Sequence, residues 1–208
     1  MKVLLFNGSP HKAGCTFTAL SEVAKSLEEA GIETEILQIG SRGFRGCTDC
    51  RGCRSGNGCA FGKEDGLNDI LGRCEEADGF VFGSPVYYAS PNGAMLSFMD
   101  RLFYSGAKAL AHKPGACVCS ARRAGTTASL DVLSKYLTIN QMPVVSSIYW
   151  PMVHGNTAEE AKQDLEGMQI MRTLGRNMAW LLRCIAAGAA AGVAVPPDEP
   201  ALRTNFIR

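Results

Sequence analysis

Apolar runs of strand length alternate with helical patterns along most of this chain. The runs that predict strands cover residues 3–6, 34–39, 79–82, 116–119 and 143–149. The helical patterns cover residues 16–30, 67–74, 93–103 and 126–137, and a long final helix begins near Thr157. Short apolar strands that alternate with helices are typical of a parallel sheet covered by helices on both faces. We therefore predict an α/β fold with a five-stranded parallel sheet.

The final helix carries both a start signal and an apolar stripe. Thr157 is a candidate N-cap because Glu160 follows three residues later, as in a capping box. Apolar side chains then recur at three- or four-residue spacing, which favours one core-facing stripe over a functional methionine cluster. The stripe consists of Leu165, Met168, Met171, Leu174, Met178, Leu181 and Ile185. We assign residues 1–194 to one domain and expect residues 195–208, with three prolines, to form an irregular tail that reaches a partner subunit.

Composition narrows the class of protein. A chain of 208 residues can bury a sheet between two helix layers in one domain. The formal net charge of +1 argues against charge-driven binding of nucleic acid. The first apolar run is too short for a secretory signal and no run is long enough to cross a membrane. Nine cysteines in such a chain lead us to expect a cytoplasmic protein with reduced thiols.

The first strand ends at Gly8-Ser9-Pro10, and a helix begins at about Thr16. A strand, a tight loop and a helix start gather backbone N–H groups at the positive end of the helix dipole, which suits a phosphate. The hydroxyls of Ser9 and Thr16 and the imidazole of His11 add polar groups. The loop has neither Gly-Lys-Ser/Thr nor Gly-x-Gly-x-x-Gly, so it favours the terminal phosphate of a mononucleotide. The alternative is a simple strand-to-helix turn.

In open α/β sheets, ligands bind beyond the carboxyl ends of the strands. The loops after the first, third and fourth strands, residues 8–16, 83–91 and 120–125, should therefore converge. The second loop carries the adjacent Tyr87 and Tyr88, a flat surface for a planar ligand, although packing residues at a strand end are the alternative.

These motifs together resemble the NADPH-dependent FMN reductase family, which has the flavodoxin-like fold. The resemblance rests on residues 8–16, 84–88, 99–101, 122–127 and 149–155, and so spans nearly the whole chain. It implies that the FMN phosphate is held by Ser9, His11, Cys15, Thr16 and Phe17. It implies that one side of the isoalloxazine ring is lined by Pro85, Val86, Tyr87 and Tyr88. Its pyrimidine end would be approached by Ser120, Ala121, Arg122, Arg123 and Gly125.

The same resemblance implies an activity and partners. FMN would take electrons from NAD(P)H and pass them to a small acceptor such as a quinone or a free flavin. No catalytic side chain is needed because the flavin carries the chemistry. The family also implies a homodimer or homotetramer. We interpret Asp100-Arg101 as a local structural contact, and a non-enzymatic flavin-binding module stays an open alternative.

A second feature is the C-x2-C-x2-C-x5-C set formed by Cys47, Cys50, Cys53 and Cys59. Zinc sites usually pair two separated knuckles, so this spacing fits zinc poorly. Closely spaced thiolates suit a cubane cluster. The set resembles that of the iron–sulfur flavoproteins, which share this fold and carry a 4Fe-4S cluster beside FMN.

The cluster implies an alternative function, electron transfer from ferredoxin. Reduced thiols and an adventitious disulfide stay open alternatives for the four cysteines. We expect the cysteine loop to fold over the edge formed by residues 8–16. We also expect the remaining cysteines in strand or helix patterns, Cys74, Cys117, Cys119 and Cys184, to be buried.

Overall fold

The computed structural model describes residues 1–197, 199, 200, 202, 204 and 206. The strands are β1 (Lys2–Asn7), β2 (Glu33–Gln38), β3 (Gly79–Tyr87), β4 (Ser90–Pro91), β5 (Gly115–Ala121) and β6 (Met152–His154). The helices are α1 (Cys15–Glu29), α2 (Gly62–Asp65), α3 (Leu67–Glu76), α4 (Gly93–Leu110), α5 (Thr126–Ile139), α6 (Ala158–Gln163) and α7 (Leu165–Ala190). Within the described residues, no helix is both long enough and apolar enough to cross a bilayer.

Five of the strands form a parallel sheet in the order β2-β1-β3-β5-β6. Counted among the parallel strands alone, this is the 2-1-3-4-5 order of the flavodoxin-like fold. The sixth strand, β4, pairs antiparallel with the end of β3 and forms a short hairpin there. The predicted five-stranded parallel α/β sheet is therefore confirmed.

The sheet is buried on both faces, and side chains alternate between two cores along each strand. On β1, Leu4 and Phe6 pack in the core covered by α3, α4 and α5. Val3 and Leu5 pack in the core covered by α1 and α7. This period-two alternation within a continuous apolar run is what a doubly covered parallel strand requires.

The third strand is longer than predicted. Gly83-Ser84-Pro85 was expected to end it, but Gly83 pairs with β1 and β5, and Pro85 pairs with Ser120 of β5. The strand continues to Tyr87, so only Tyr88 and Ala89 connect it to β4. The proline is tolerated because it lies near the end of the strand, where fewer ladder hydrogen bonds are needed.

The predicted strand at 143–149 is wrong. In this stretch Val144 makes only an isolated bridge to Gly115, and the edge strand of the sheet is instead β6, whose Met152 pairs with Cys119. The chain leaves the sheet after residue 145 and exposes Ile148, Tyr149 and Trp150. The prediction failed because an apolar run was taken to be buried in the sheet, whereas the large side chains of this run face solvent.

The predicted final helix is two helices. Thr157 Oγ1 accepts a hydrogen bond from Glu160 N (3.2 Å), which confirms the N-cap of α6. Asp164 then breaks the helix and caps α7 through Gly167 N (2.9 Å). The middle of the predicted stripe is buried, whereas its two ends, Leu165 and Ile185, are exposed.

Residues 195–197 adopt no helix or strand, as expected for the start of the tail. Residues 198, 201, 203, 205, 207 and 208 lie outside the described part of the chain. The expected reach of the tail to a partner subunit therefore stays a prediction.

Candidate functional site

A cleft of about 380 Å³ lies beyond the carboxyl ends of β1, β3 and β5. It brings together parts of all three loops that the sequence predicted to converge. Its lining includes Ser9, His11, Cys15, Thr16, Pro85, Val86, Tyr87, Ser120, Ala121 and Arg122 from the predicted set. Gly14, Gly155 and Asn156 complete the lining, and Asn156 was missed by the sequence analysis. Of the other predicted residues, Phe17, Tyr88, Arg123 and Gly125 do not line the cleft.

The loop between β1 and α1 is shaped by the buried side chain of Asn7. Its Oδ1 accepts a hydrogen bond from Ser9 N (3.1 Å), and its Nδ2 donates to His11 O (3.3 Å) and to Gln38 Oε1 (2.7 Å). Gln38 Nε2 in turn donates to Ser9 O (2.6 Å). The sequence analysis did not predict this role of Asn7. The one signal for it was a polar amide directly after the apolar run of the first strand.

A second buried amide joins the loop to the neighbouring hairpin. Asn92 Nδ2 donates to Gly8 O (2.5 Å), and Asn92 Oδ1 caps α4 by accepting from Met95 N (3.1 Å). Asn92 N donates to Ser84 Oγ (3.1 Å). The two walls of the cleft are therefore fixed to each other before any ligand binds.

The start of α1 faces the cleft. Gly14 precedes the helix and offers no side chain to cap it, so the first-turn N–H groups stay available for an anion. Thr16 Oγ1 and Ser120 Oγ lie 2.8 Å apart, and both side chains are buried at the cleft wall. Ser9 Oγ accepts from His11 N (3.1 Å) and keeps its own proton to donate. The arrangement places hydroxyl donors and a helix N-terminus around one point, as a phosphate requires.

Cys15 lies in the same first turn, but its thiol contacts the loop before α6. The Sγ lies 3.4 Å from Gly155 O and 3.3 Å from Thr157 O, and its single S–H proton can be donated to either carbonyl. Burial raises the pKa of the Cys15 thiol above its ordinary value of 9.0, and the nearby Glu160 and Glu159 add to this. Cys15 therefore ties α1 to the loop before α6, and its backbone N–H is the group left for an anion.

The opposite wall is the end of β3, where Pro85, Val86 and Tyr87 line the cleft. Tyr88 lies at the hairpin tip with φ +57° and a fully exposed ring, so it contributes to the wall only if the tip moves. Gly125 (φ +92°) packs behind the wall: a Cβ there would lie 2.7 Å from Val86 Cγ1. Of the two exposed arginines after β5, only Arg122 reaches the cleft.

The four clustered cysteines line a separate cavity of about 270 Å³ together with Arg51, Arg54 and Arg101. Cys47 and Cys50 are exposed, and Cys53 and Cys59 are partly buried. All nine cysteines lie in the described part of the chain, and none of them forms a disulfide there. Among the described residues, no three Cys, His, Asp or Glu side chains are gathered as a metal-ligand group. Four thiols are the donor set that a 4Fe-4S cluster requires, and three arginines and one aspartate, Asp49, share the cavity with them.

The position of this cavity corrects one expectation. The cysteines pack against Tyr104 and Ser105 of α4, and the lining residues described for their cavity and for the cleft do not overlap. Gly40, at the start of the loop, lies against the loop of residues 8–16: a Cβ there would lie 2.1 Å from Gly8 O. The reason is the long-range contact of the loop with Arg101, which the sequence did not reveal.

Two smaller expectations also need correction. Cys74, Cys117 and Cys119 are buried as expected, but Cys184 is exposed because it lies on α7 beyond Leu182, the last buried residue of that helix.

Asp100 and Arg101 were expected to make a local contact. Asp100 instead accepts a hydrogen bond from Tyr136 OH, and Arg101 pairs with Asp65, 36 positions away. Adjacent residues on a helix face different directions, so each side chain meets a different neighbouring element.

Comparison with known proteins adds independent findings. An iron–sulfur flavoprotein of Methanocaldococcus jannaschii is 29% identical over 195 residues, covering 89% of this chain and 99% of that protein. The solved structure of RosB with bound 8-demethyl-8-formylriboflavin-5′-phosphate is similar with a TM-score of 0.70 at 18% identity, covering 100% of this chain and 92% of that chain. An archaeal flavodoxin gives a TM-score of 0.57 at 15% identity, covering 88% of this chain and 99% of that chain.

The two structural similarities confirm the flavodoxin-like fold. The profile of the family described as NADPH-dependent FMN reductase matches residues 1–157, which is well over half of the chain. The chain therefore belongs to the NADPH-dependent FMN reductase family, whose members are flavin-dependent oxidoreductases.

Proposed function

We propose that this protein binds FMN in the cleft and uses it to pass electrons from NAD(P)H to a small acceptor such as a quinone or a free flavin. The observation that carries the proposal is the convergence of three strand-end loops on one cleft with a phosphate-suited end and an aromatic wall. Its volume of about 380 Å³ lies within the ~300–1,000 Å³ range of small-molecule sites.

The residues of the cleft suggest one orientation of the cofactor. Ser9, His11, Thr16 and the first-turn N–H groups of α1, which include those of Cys15 and Phe17, would hold the phosphate. Pro85, Val86 and Tyr87, with Tyr88 at the tip, would lie along the ring. Ser120, Ala121 and Arg122 would approach its pyrimidine end, with Arg123 and Gly125 behind them.

When bound, FMN would supply hydride acceptance and electron transfer, so the protein's contribution is binding, orientation and electrostatics. The Arg122 guanidinium would favour negative charge at the pyrimidine end of the ring. The exposed hairpin tip leaves one side of the cleft open, so donor and acceptor would use the same face in turn.

The test is anaerobic mixing of the FMN-loaded protein with NADPH and, separately, with NADH, followed by addition of a quinone. We expect at least one nucleotide to bleach the flavin absorbance, and the quinone to restore it. Protein that keeps its flavin but is reduced by neither nucleotide would contradict the reductase proposal. Lack of reduction by ferredoxin as well would favour the flavin-binding module.

A second function is favoured by the cysteine cavity. We propose as the alternative an iron–sulfur flavoprotein that carries FMN and a 4Fe-4S cluster and takes electrons from ferredoxin. It is supported by four cysteine side chains that line one cavity with three arginines, and by the name of the M. jannaschii relative. Residues Cys47, Cys50, Cys53 and Cys59 would be the ligands. Iron and acid-labile sulfide in anaerobically purified protein test it, and their absence would contradict it.

We also propose a cytoplasmic homodimer or homotetramer. The location is supported by nine free thiols. The assembly is supported by two exposed aromatic side chains, Tyr87 at the cleft and Tyr88 at the hairpin tip, which a neighbouring subunit would cover. Light scattering of the FMN-loaded protein at micromolar concentration tests the assembly, and a monomer would contradict it.

A further inference from the structure

Arg101 is the largest side chain that is fully buried in the described part of the protein, with 2% of it exposed. It lies on α4, whose neighbouring residues Phe98, Met99 and Leu102 pack into the apolar core. A buried guanidinium is costly unless it is paired and its donors are satisfied. Its partners therefore indicate what it does.

The hydrogen-bond partners of the Arg101 guanidinium, Arg45, Cys59 and Asp65, belong to one stretch, residues 45–65, which we call the cysteine segment. Nη2 donates to Asp65 Oδ1 (3.2 Å), and Nη1 donates to Asp65 Oδ2. Nη1 also donates to Arg45 O (3.4 Å). Arg45 precedes Cys47 and Asp65 follows Cys59, so one guanidinium holds both ends of the segment.

A further donor of Arg101, its Nε–H group, points at a cysteine. Nε lies 3.2 Å from Cys59 Sγ. The backbone of the same cysteine is held by Asn68, whose Oδ1 accepts from Cys59 N (2.9 Å) and whose Nδ2 donates to Cys59 O (3.1 Å). Cys59 is thus fixed at its sulfur and at both backbone groups.

The rest of the segment is held much less firmly. Cys47 and Cys50 are exposed, and regular structure here consists of a four-residue 3-10 turn, Gly52–Ser55, and the four residues of α2. Asp49 and Arg51 have positive φ values of 49° and 58°, which non-glycine residues rarely adopt. Cys59 is therefore held in place, whereas the loosely held part of the segment leaves the other cysteines apart, and among the described residues no three metal-ligating side chains are gathered.

We propose that Arg101 is a positioning residue that closes the cysteine segment and presents Cys59 as its one preorganised thiolate ligand. The other three cysteines then gather around Cys59 when iron and sulfide bind. The ligand part of this proposal rests on the iron–sulfur function proposed above. A hydrogen bond to a ligand sulfur raises the reduction potential of a cluster, so Arg101 also sets that potential.

Two variants and a control test the proposal in the full chain. Arg101→Lys keeps the charge for Asp65 but loses the planar set of donors. The double variant Arg101→Gln with Asp65→Asn removes both charges, so no buried charge is left unpaired. Lys108→Gln is the matched control because it removes an exposed positive charge from the same helix.

The first measurement is hydrogen exchange of the metal-free protein. We expect exchange in peptides from the cysteine segment to become at least tenfold faster in the double variant, with a smaller increase in Arg101→Lys. Exchange in β1 and β5 should not change in either variant or in the control. Unchanged exchange in the segment would overturn its closure by Arg101.

The second measurement is the midpoint potential of the anaerobically reconstituted cluster. It should become more negative in both Arg101 variants and stay unchanged in the control. Equal potentials in wild type and Arg101→Lys would overturn the positioning of Cys59. If the wild type itself holds no iron, the iron–sulfur function and the ligand role of Cys59 both fail, whereas the reductase proposal is unaffected.

Discussion

Replacing Thr16 by Val removes one hydroxyl from the proposed phosphate end of the cleft and nearly preserves the shape of the side chain. Thr16 Oγ1 lies 2.8 Å from Ser120 Oγ, and 1% of Thr16 is exposed. A hydrogen bond to a charged group contributes about 1.5–3 kcal/mol. At about 1.4 kcal/mol per factor of ten, the dissociation constant of FMN should rise about 10- to 150-fold.

The same change has a smaller effect on the fold. The lost bond to Ser120 should lower the free energy of unfolding of the flavin-free protein by about 0.5–1.5 kcal/mol, with an added cost if Ser120 stays unpaired. The variant should therefore remain folded, and the loss in affinity should exceed the loss in stability.

The assay is titration of flavin-free protein with FMN, followed by quenching of flavin fluorescence, beside urea unfolding of the same samples. Thr18→Val is the matched control, because Thr18 is a buried threonine of the same helix whose Oγ1 donates to Gly14 O (3.1 Å). An unchanged affinity in Thr16→Val, or an equal loss in Thr18→Val, would refute direct contact of Thr16 with the phosphate.

Three other perturbations should alter the stability of the protein. Asn7→Ala removes the hydrogen-bond partner of the buried Ser9 N and of the partly buried His11 O and Gln38 Oε1. It should lower the free energy of unfolding by about 2–4 kcal/mol in urea titrations and weaken FMN binding. Unchanged stability would refute the role of Asn7 in shaping the loop. Gly125→Ala should destabilise by about 1–3 kcal/mol and weaken FMN binding, because it strains a φ of +92° and meets Val86, whereas Gly72→Ala on α3 meets open space and should be neutral or stabilising. Burial raises the pKa of the Cys117 thiol to about 12, above its ordinary value of 9.0. Between these two pH values the thiol keeps its proton in the folded protein and loses it in the unfolded chain. The contribution of Cys117 to the free energy of unfolding is therefore complete below pH 9 and falls as the pH rises towards 12, by up to about 1.4 kcal/mol per pH unit. In Cys117→Val, the free energy of unfolding should fall less steeply over this pH range.

The alternation of apolar runs and helical patterns was enough to predict the parallel sheet and the convergence of its loops. This succeeds because a strand buried on both faces is apolar throughout, as in residues 3–6, and the carboxyl ends of parallel strands share one edge. Local signals such as Thr157 and Glu160 also predicted a helix start, since both partners of the capping contact lie within one turn.

Pairing between distant segments was decided only by the tertiary structure. The stretch 143–149 has the composition of a strand, yet the place beside β5 is taken by Met152–His154. Gly83-Ser84-Pro85 has the composition of a turn, yet all three residues pair with β5, and Gly83 pairs with β1 as well. The composition of a segment indicates whether it can be buried as a strand or can form a turn. Which strand it pairs with depends on the whole fold.

The polar groups that shape the two sites depended even more on tertiary contacts. Asn7 and Asn92 are ordinary amides in the sequence and become structural because folding buries them beside backbone groups that need partners. Arg101 lies 42 positions from Cys59, and no local pattern relates them. The sequence by itself indicated most of the residues that line the cleft and the four cysteines that share one cavity. The tertiary structure decided the position of each of these side chains and its hydrogen-bond partners, because the role of a buried polar group depends on the partners that folding places around it.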